Sequence, residues 1–318
     1  MAAPKVSILI AAYSPRYLQA ALQSTSAQTL QDFEIVVRDD CPTNAVALMV
    51  EAFARTSAAP LNYQRNESQL GVRRNYERCF AAAQGEYVKF LNDDDLLDPA
   101  CIEQLARALD GNPAAHLATS HRRCIDDCGS PLRDIPATQP VVPFDCLIDG
   151  STVINALLLL GLNFIGEPST AMFRRSAIGD GPLFDFLGDP GRGVSDLVLW
   201  CRLAQAGPVV FLKSRLSSFR MHGQQRQAIP GVQSLAAVSI PAMRDKWLAL
   251  DRHLDCPPNV LQVAPLPAAT GSQPAQDPRW QYIPVPIFVV PGSDVQQLVS
   301  DWRAKRHPFF SARRDSAP

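Results

Sequence analysis

Three consecutive carboxylates, Asp93, Asp94 and Asp95, close an apolar run in the segment GEYVKFLNDDDLLDP, Gly85 to Pro99. Like charges on adjacent residues repel, so the cluster favours a counter-cation. Hard divalent ions, Mg2+ or Mn2+, take carboxylate oxygens and often share them with phosphate. A solvated acidic turn capping the helix that begins at Pro99 is the alternative. A second acidic pair, Asp39 and Asp40, ends EIVVRDDCPT, Glu34 to Thr43. A carboxylate there can accept N–H groups of a nucleotide base, or Asp40 or Thr43 can cap the next helix. In GVSDLVLWCRLAQAG, Gly193 to Gly207, Asp196 opens an amphipathic stretch, either as a helix cap or as a general base. In SSFRMHG, Ser217 to Gly223, His222 follows Arg220 by two residues. Imidazole ligates Mn2+ and guanidinium grips phosphate, while a purely structural histidine is the simpler reading.

The elements that must hold these groups alternate. Val6–Ala12 is almost continuously apolar, the mark of a strand buried on both faces. Apolar spacing predicts helices over Pro15–Gln28, Asn44–Arg55 and Val72–Ala83, and another from Pro99 to Leu109. Strands are expected at Phe33–Val37, Leu61–Gln64, Glu86–Leu91 and Ala115–Ser120. This βαβαβ order predicts a mostly parallel sheet with helices on both faces, and both acidic clusters fall at carboxyl ends of strands, where such sheets bind ligands. Further on, Arg122–Asp134 reads as a hairpin over Asp127 to Gly129, and Thr152–Gly161 and Val194–Gln205 as helices. Ser169–Phe173, Val209–Leu212, Leu216–Arg220 and Trp280–Val290 read as strands. Cys256 to Asp277 reads as a linker, Asp294–Lys305 as a helix and Arg313 to Pro318 as a tail.

Composition narrows the function. The 318 residues are 47% hydrophobic and 19% charged, enough to bury a sizeable core. A net charge of -1 lacks the basic excess of a dedicated nucleic-acid binder. Cys41, Cys79, Cys101, Cys124, Cys128, Cys146, Cys201 and Cys256 are scattered, and only Cys124 and Cys128 lie close together, so reduced thiols are expected rather than a zinc site. VSILIAA reads as a first strand rather than a signal-peptide core, and no apolar run approaches the ~20 residues of a membrane span.

Taken in order, these segments resemble the family 2 glycosyltransferases. The match runs from PKVSILIAAYSPRYLQAALQSTSAQTLQDFEIVVRDD through GVRRNYERCFAAAQGEYVKFLNDDDLL and IGEPSTAMFRRSAI to SDLVLWCRLAQAG and FRMHG, roughly residues 4 to 225. The resemblance implies the GT-A fold, an α/β architecture with a mostly parallel central sheet flanked by helices. It divides the chain into a transferase domain over 1–228, with a nucleotide-binding half to residue 120 and an acceptor-side half after it, and a small extension over 229–318. It implies that Asp40 binds uracil with Ala11 and Tyr13 nearby, that Arg73 or Arg74 faces the nucleotide, and that Asp93 contacts ribose or sugar. Asp94 would be the chief metal ligand, with Asp95 beside it. His222 would help hold metal or diphosphate, with Arg220 closing the site. Asp196 would be the base, and Glu167, Pro168, Ser169 and Trp200 would form the acceptor side.

The implied reaction is an inverting transfer from a nucleotide sugar, a UDP-sugar foremost, to a glycan or lipid-linked hydroxyl, with Mn2+ or Mg2+. It would take place in the cytoplasm or peripherally at the inner membrane face, where Arg303, Lys305, Arg306, Arg313 and Arg314 could meet anionic lipid, although a solvated helix face and tail is the simpler reading of those five residues. Three departures from the family pattern stand out: Cys41-Pro42 for Gly-Ser, Asn92 for the first aspartate of Asp-x-Asp, and Ser195-Asp196 for an acidic pair. A non-catalytic nucleotide- or glycan-binding module is one alternative. A nucleotidyltransferase is another, although the loop after the first strand, Ala-Ala-Tyr-Ser-Pro-Arg, lacks the glycines of that class. The absence of G-x-G-x-x-G there also argues against a dehydrogenase.

Overall fold

The apolar runs of the N-terminal half lie side by side as parallel strands in the computed structural model, which describes residues 3–225, 230–250, 259–266 and 280–284. β1 (Val6–Ala12) sits between β2 (Phe33–Asp39) and β4 (Tyr87–Phe90), and β3 (Leu61–Arg65) flanks β2. A strand paired on both sides and covered on both faces has no solvent side, which explains the nearly continuous apolar character of β1. Val6, Ile8 and Ile10 enter one core with Leu18 of α1 (Pro15–Ser26), Val46 of α2 (Ala45–Ala54) and Leu105 of α4 (Cys101–Asp110). Leu9 points the other way. It joins Phe90, Cys79 of α3 (Val72–Ala82), Val153 of α5 (Gly150–Leu158), Trp200 of α6 (Ser195–Ala206) and Trp247 of α7 (Pro230–Ala249).

Beyond β4 the sheet becomes mixed. β9 (Met172–Arg174) pairs antiparallel with both β4 and β6 (Leu117–Ile125), and β10 (Val209–Arg220) runs parallel to β6. Two reversals restore direction, so β6 and β10 end at the same edge of the sheet as β1, β2 and β4. β8 (Cys146–Ile148), β11 (Val260–Pro265) and β12 (Gln281–Pro284) extend the far side antiparallel. Short β5 (Leu96–Leu97) pairs with β10, and β7 (Pro131–Leu132) with β6. No helix among the described residues is long and apolar enough to cross a membrane.

Several elements differ from their sequence expectation. Val209–Leu212 and Leu216–Arg220 are one strand, β10, whose register shifts on either side of Arg215 while pairing to β6 continues. Pro99 precedes α4 rather than opening it. Pro168–Thr170 is a 3-10 turn, leaving only Met172–Arg174 as strand. The stretch read as a linker contains β11, whose buried Leu261 and Val263 were hidden among flanking prolines. Met243, Trp247, Leu261 and Val263 share the main core, so residue 228 does not mark a break in it. The described cysteines, Cys124 and Cys128 included, are free. The helix expected at 294–305 and the tail from 313 lie outside the described residues.

Trp247 is fully buried, and its indole N–H donates to Asn155 Oδ1 at 2.9 Å. Trp247→Ala is expected to cost about 3–5 kcal/mol and to lower one cooperative urea transition. Loss confined to a separate minor transition would show that α7 folds apart from the sheet.

Candidate active site

Each aspartate of the acidic turn has a different partner. Asp93 Oδ2 accepts the backbone N–H groups of Tyr13 and Ser14, both at 2.7 Å, and so fixes the loop between β1 and α1. Asp95 is enclosed: Oδ2 accepts from Ser169 Oγ at 2.6 Å and Asn92 Nδ2 at 2.9 Å, and Oδ1 from Arg220 N at 3.0 Å. Both oxygens are therefore engaged, and Asp95, expected as a metal ligand, instead ties the turn to β10 and to the 168–170 turn. Asp94 keeps 24% of its side chain exposed, and its Oδ2 lies 3.0 Å from His222 Nε2. None of the three caps α4, whose start is marked by Asp98 accepting from Ala100 N.

His222 and Arg220 come from the end of β10, at the same sheet edge. Gln224 N–H donates to His222 Nδ1 at 3.3 Å, so Nε2 carries the proton directed at Asp94. The ring packs on Tyr17 with centroids 5.1 Å apart. Arg220, expected to grip phosphate, is buried: Nε donates to Asp94 O at 2.8 Å and Nη1 to Asp126 O at 2.9 Å and Asp127 O at 3.1 Å. Its guanidinium lies over Tyr17, 4.5 Å from the centroid, so it clamps the acidic turn to the β6–β7 hairpin.

At the end of β2, Asp40 accepts from Leu70 N at 2.7 Å, Gly71 N at 2.8 Å and Asn66 Nδ2 at 3.0 Å. Gly71 has φ of +77°, a conformation that favours glycine, and it presents the first N–H of α3 to this carboxylate. Asp40 thus holds the 66–71 loop around a cleft of about 190 Å³, lined by Asp40, Cys41, Pro42, Arg65, Asn66 and Gln69 among others. Ala11 is half-buried on β1 and Tyr13 is exposed. The two arginines of α3 part company. Arg73 donates to Pro190 O and Phe184 O and pairs with Glu77, whereas Arg74 makes no hydrogen bond or ion pair among the described residues.

Asp196 lies in the first turn of α6 but is not its cap, which is Val194. Tyr76, which the sequence reading missed, connects it to the acidic turn. The Tyr76 hydroxyl donates to Asn92 Oδ1, and its pKa is raised well above the phenol range by burial and then by Asp94, Asp93, Asp196 and Asp95. All four carboxylates therefore act on one point. Glu167 is half-buried, with Oε2 2.8 Å from Nε of the buried Arg122; Pro168 follows it in the 3-10 turn. Ser169 is buried against Asp95, and Trp200, expected at the acceptor side, is wholly buried, its N–H donating to Gly166 O at 2.9 Å. Tyr76 and Arg122 sit within amphipathic stretches, where sequence alone reads them as core or solvated face.

The sequence model of the family described as Glycosyl transferase family 2 matches residues 7–181, more than half of the chain. The chain belongs to glycosyltransferase family 2. An uncharacterized protein of Mycobacterium tuberculosis is 31% identical over 68% of this chain and 67% of its own length. An uncharacterized glycosyltransferase of Nostoc is 27% identical over 69% and 65%. This family 2 chain thus spans about two thirds of both relatives. Among solved structures, S. aureus TarS 1-349 in complex with UDP-GlcNAc superimposes with a TM-score of 0.59 at 20% identity, over 79% of this chain and 72% of that one. A likeness at that identity establishes the fold, which is GT-A, with the expected sheet and flanking helices.

Burial raises the pKa of all three aspartates of this family 2 site, Asp94 among them. Burial, and then the neighbouring Asp93 carboxylate, push Asp94 up to about 7. Burial lowers the His222 pKa, keeping the imidazole neutral. The folded state therefore binds the Asp94 proton more tightly than the unfolded chain does. That contribution is fully present below about pH 4 and is lost as pH rises through 7. Without divalent cation, Asp94→Asn is expected to flatten the fall in stability between pH 4 and 8, with a gain on the order of 1–2 kcal/mol at pH 8. Parallel profiles for the two proteins in EDTA would show that Asp94 is ionised at no cost.

Proposed function

We propose that this family 2 enzyme is an inverting transferase that moves a sugar from a UDP-sugar to a hydroxyl of a glycan or lipid-linked acceptor. The observation that carries the reading is the convergence of the Asp94–His222 pair and Asp196 around Tyr76, at the sheet edge where the Asp40 cleft also opens. The TarS structures contain UDP and UDP-GlcNAc, which supports a uridine donor here.

Asp94 and His222 would hold Mn2+ or Mg2+. In this structure the two meet across an N–H···O contact of 3.0 Å, and the ion would take the place of that Nε2 proton. Among the described residues no three His, Cys, Asp or Glu side chains form a metal-holding group. Two protein donors suit an ion that also takes diphosphate oxygens and water. When bound, the cation supplies Lewis-acid stabilisation of the departing nucleoside diphosphate.

The protein's own groups do the rest. Asp93 holds the Tyr13–Ser14 loop beside the donor, Asp40 shapes the base cleft, and Arg74 is the cation left for phosphate. Asp196 accepts the proton of the acceptor hydroxyl as that oxygen attacks the anomeric carbon from the face opposite the leaving group. One displacement inverts the configuration through an oxocarbenium-like transition state, with no covalent enzyme intermediate. Glu167 and Pro168 form the acceptor wall. A lipid-linked acceptor would bring the enzyme from the cytoplasm to the inner membrane face.

UDP with Mn2+ at about 100 Kd is expected to raise the melting temperature by about 5 °C, and Asp94→Ala to abolish the metal-dependent part. Asp196→Asn should lower kcat by about 10³-fold with UDP affinity nearly unchanged. Full turnover in that variant would remove Asp196 from the base role. Arg74→Ala should weaken UDP binding about tenfold or more, whereas Arg73→Ala should lower stability first. The reverse order would reassign the donor contact to Arg73.

A further inference from the structure

Tyr87, Val88, Phe90 and Leu91 are buried apolar residues, and among them lies one fully buried cation, Lys89. No ion pair reaches it among the described residues. Its ammonium donates to two backbone carbonyls, Ser169 O and, at 3.3 Å, Ala171 O. Desolvation lowers its pKa, and the nearby Asp95 works against that loss of charge. A buried ammonium is costly and a strand residue of this core needs none, so the cation has to be explained by what it holds.

What it holds leads directly to the acidic turn. Ser169, whose carbonyl Lys89 grips, uses its hydroxyl at both ends of that turn: Oγ accepts from Asn92 N at 3.0 Å and donates to Asp95 Oδ2 at 2.6 Å. Asn92 Nδ2 donates to the same Asp95 oxygen, and Arg220 closes the other side through Asp95 Oδ1 and Asp94 O. The backbone position of Asp94 is thus set from below by Lys89 through Ser169.

We propose that Lys89 is a positioning residue for the donor site, fixing the Ser169–Ala171 backbone and, through Ser169, the Asn92–Asp95 turn that presents Asp94. This role rests on the reading of that turn as a metal–nucleotide site. Two effects of Lys89→Met oppose each other. Loss of the tether loosens Asp94 and weakens cation binding, while loss of a positive charge under three aspartates strengthens it. Positioning requires the first to win.

The test is calorimetric titration of Mn2+ into the full chain with saturating UDP, for unmodified protein, Lys89→Met, Ser169→Ala and the double variant. Each single variant is expected to weaken Mn2+ binding about tenfold, and the double variant hardly further, because both break one path. UDP binding in EDTA should stay within about twofold, since the Asp40 cleft is untouched. Lys89→Gln keeps an N–H donor without the charge and should recover Mn2+ affinity to within about threefold, and if Lys89→Met does not fold, Ser169→Ala carries the test of the tether. Unchanged or tighter Mn2+ binding in Lys89→Met, independent losses that multiply to about 100-fold, or a Lys89→Gln as weak as Lys89→Met would each overturn the proposal. If the unmodified protein shows no Mn2+-dependent UDP binding, the reading of the site itself fails, and this role with it.

Discussion

Three adjacent carboxylates cannot share one environment at the end of a buried strand, and the site is organised by how they are separated. Asp93 is hydrogen-bonded by two backbone N–H groups of the β1–α1 loop, Asp95 by a closed set of protein donors, and only Asp94 is left facing an imidazole. Each solution recruits a different part of the chain. The loop after β1, the end of β10, the 168–170 turn and the β6–β7 hairpin are all pinned to residues 92–95. The sheet topology makes this feasible, because two antiparallel reversals through β9 return β6 and β10 to the edge where β1, β2 and β4 also end.

The same separation accounts for the charge balance. Arg220, Arg122 and Lys89 are buried around the carboxylates, each donating to backbone carbonyls, with Arg122 also ion-paired to Glu167. Buried cations of this kind lower the cost of keeping several aspartates close together. Their guanidinium and ammonium groups are turned toward the protein, so the outer face of the turn is left to Asp94 and His222.

The strands and helices of the first half were legible because parallel strands buried on both faces leave long apolar runs and α1 to α3 leave clear helical spacing. Asp40, Asp93, Asp94, Asp196 and His222 stood out as candidates beside strand or helix ends, and it was the family resemblance that joined them into a set. What each carboxylate touches was not. Asp95 is settled by Ser169 and Arg220, 74 and 125 residues away, and no local pattern encodes that distance. Arg73, Arg220 and Trp200 were assigned to the ligand side by the resemblance, yet each holds a backbone carbonyl inside the fold. Arg73 and Arg74 are indistinguishable by type and adjacent in sequence, and only the 184–190 loop tells them apart. β11 was hidden for a different reason: its short alternation is embedded in proline-rich sequence that reads as linker.

β8 is only three residues long and is flanked by β10 on one side and β11 on the other. During synthesis the ribosome releases β10 well before residues 260–265, so the nascent sheet carries β8 as an open edge until β11 emerges. Unpaired strand edges are templates for intermolecular pairing. The transferase region is thus chemically complete, with every acidic and imidazole group already made, while its sheet is still adhesive. Until β11 pairs with it, β8 is an adhesive edge that the strands carrying the acidic turn do not share.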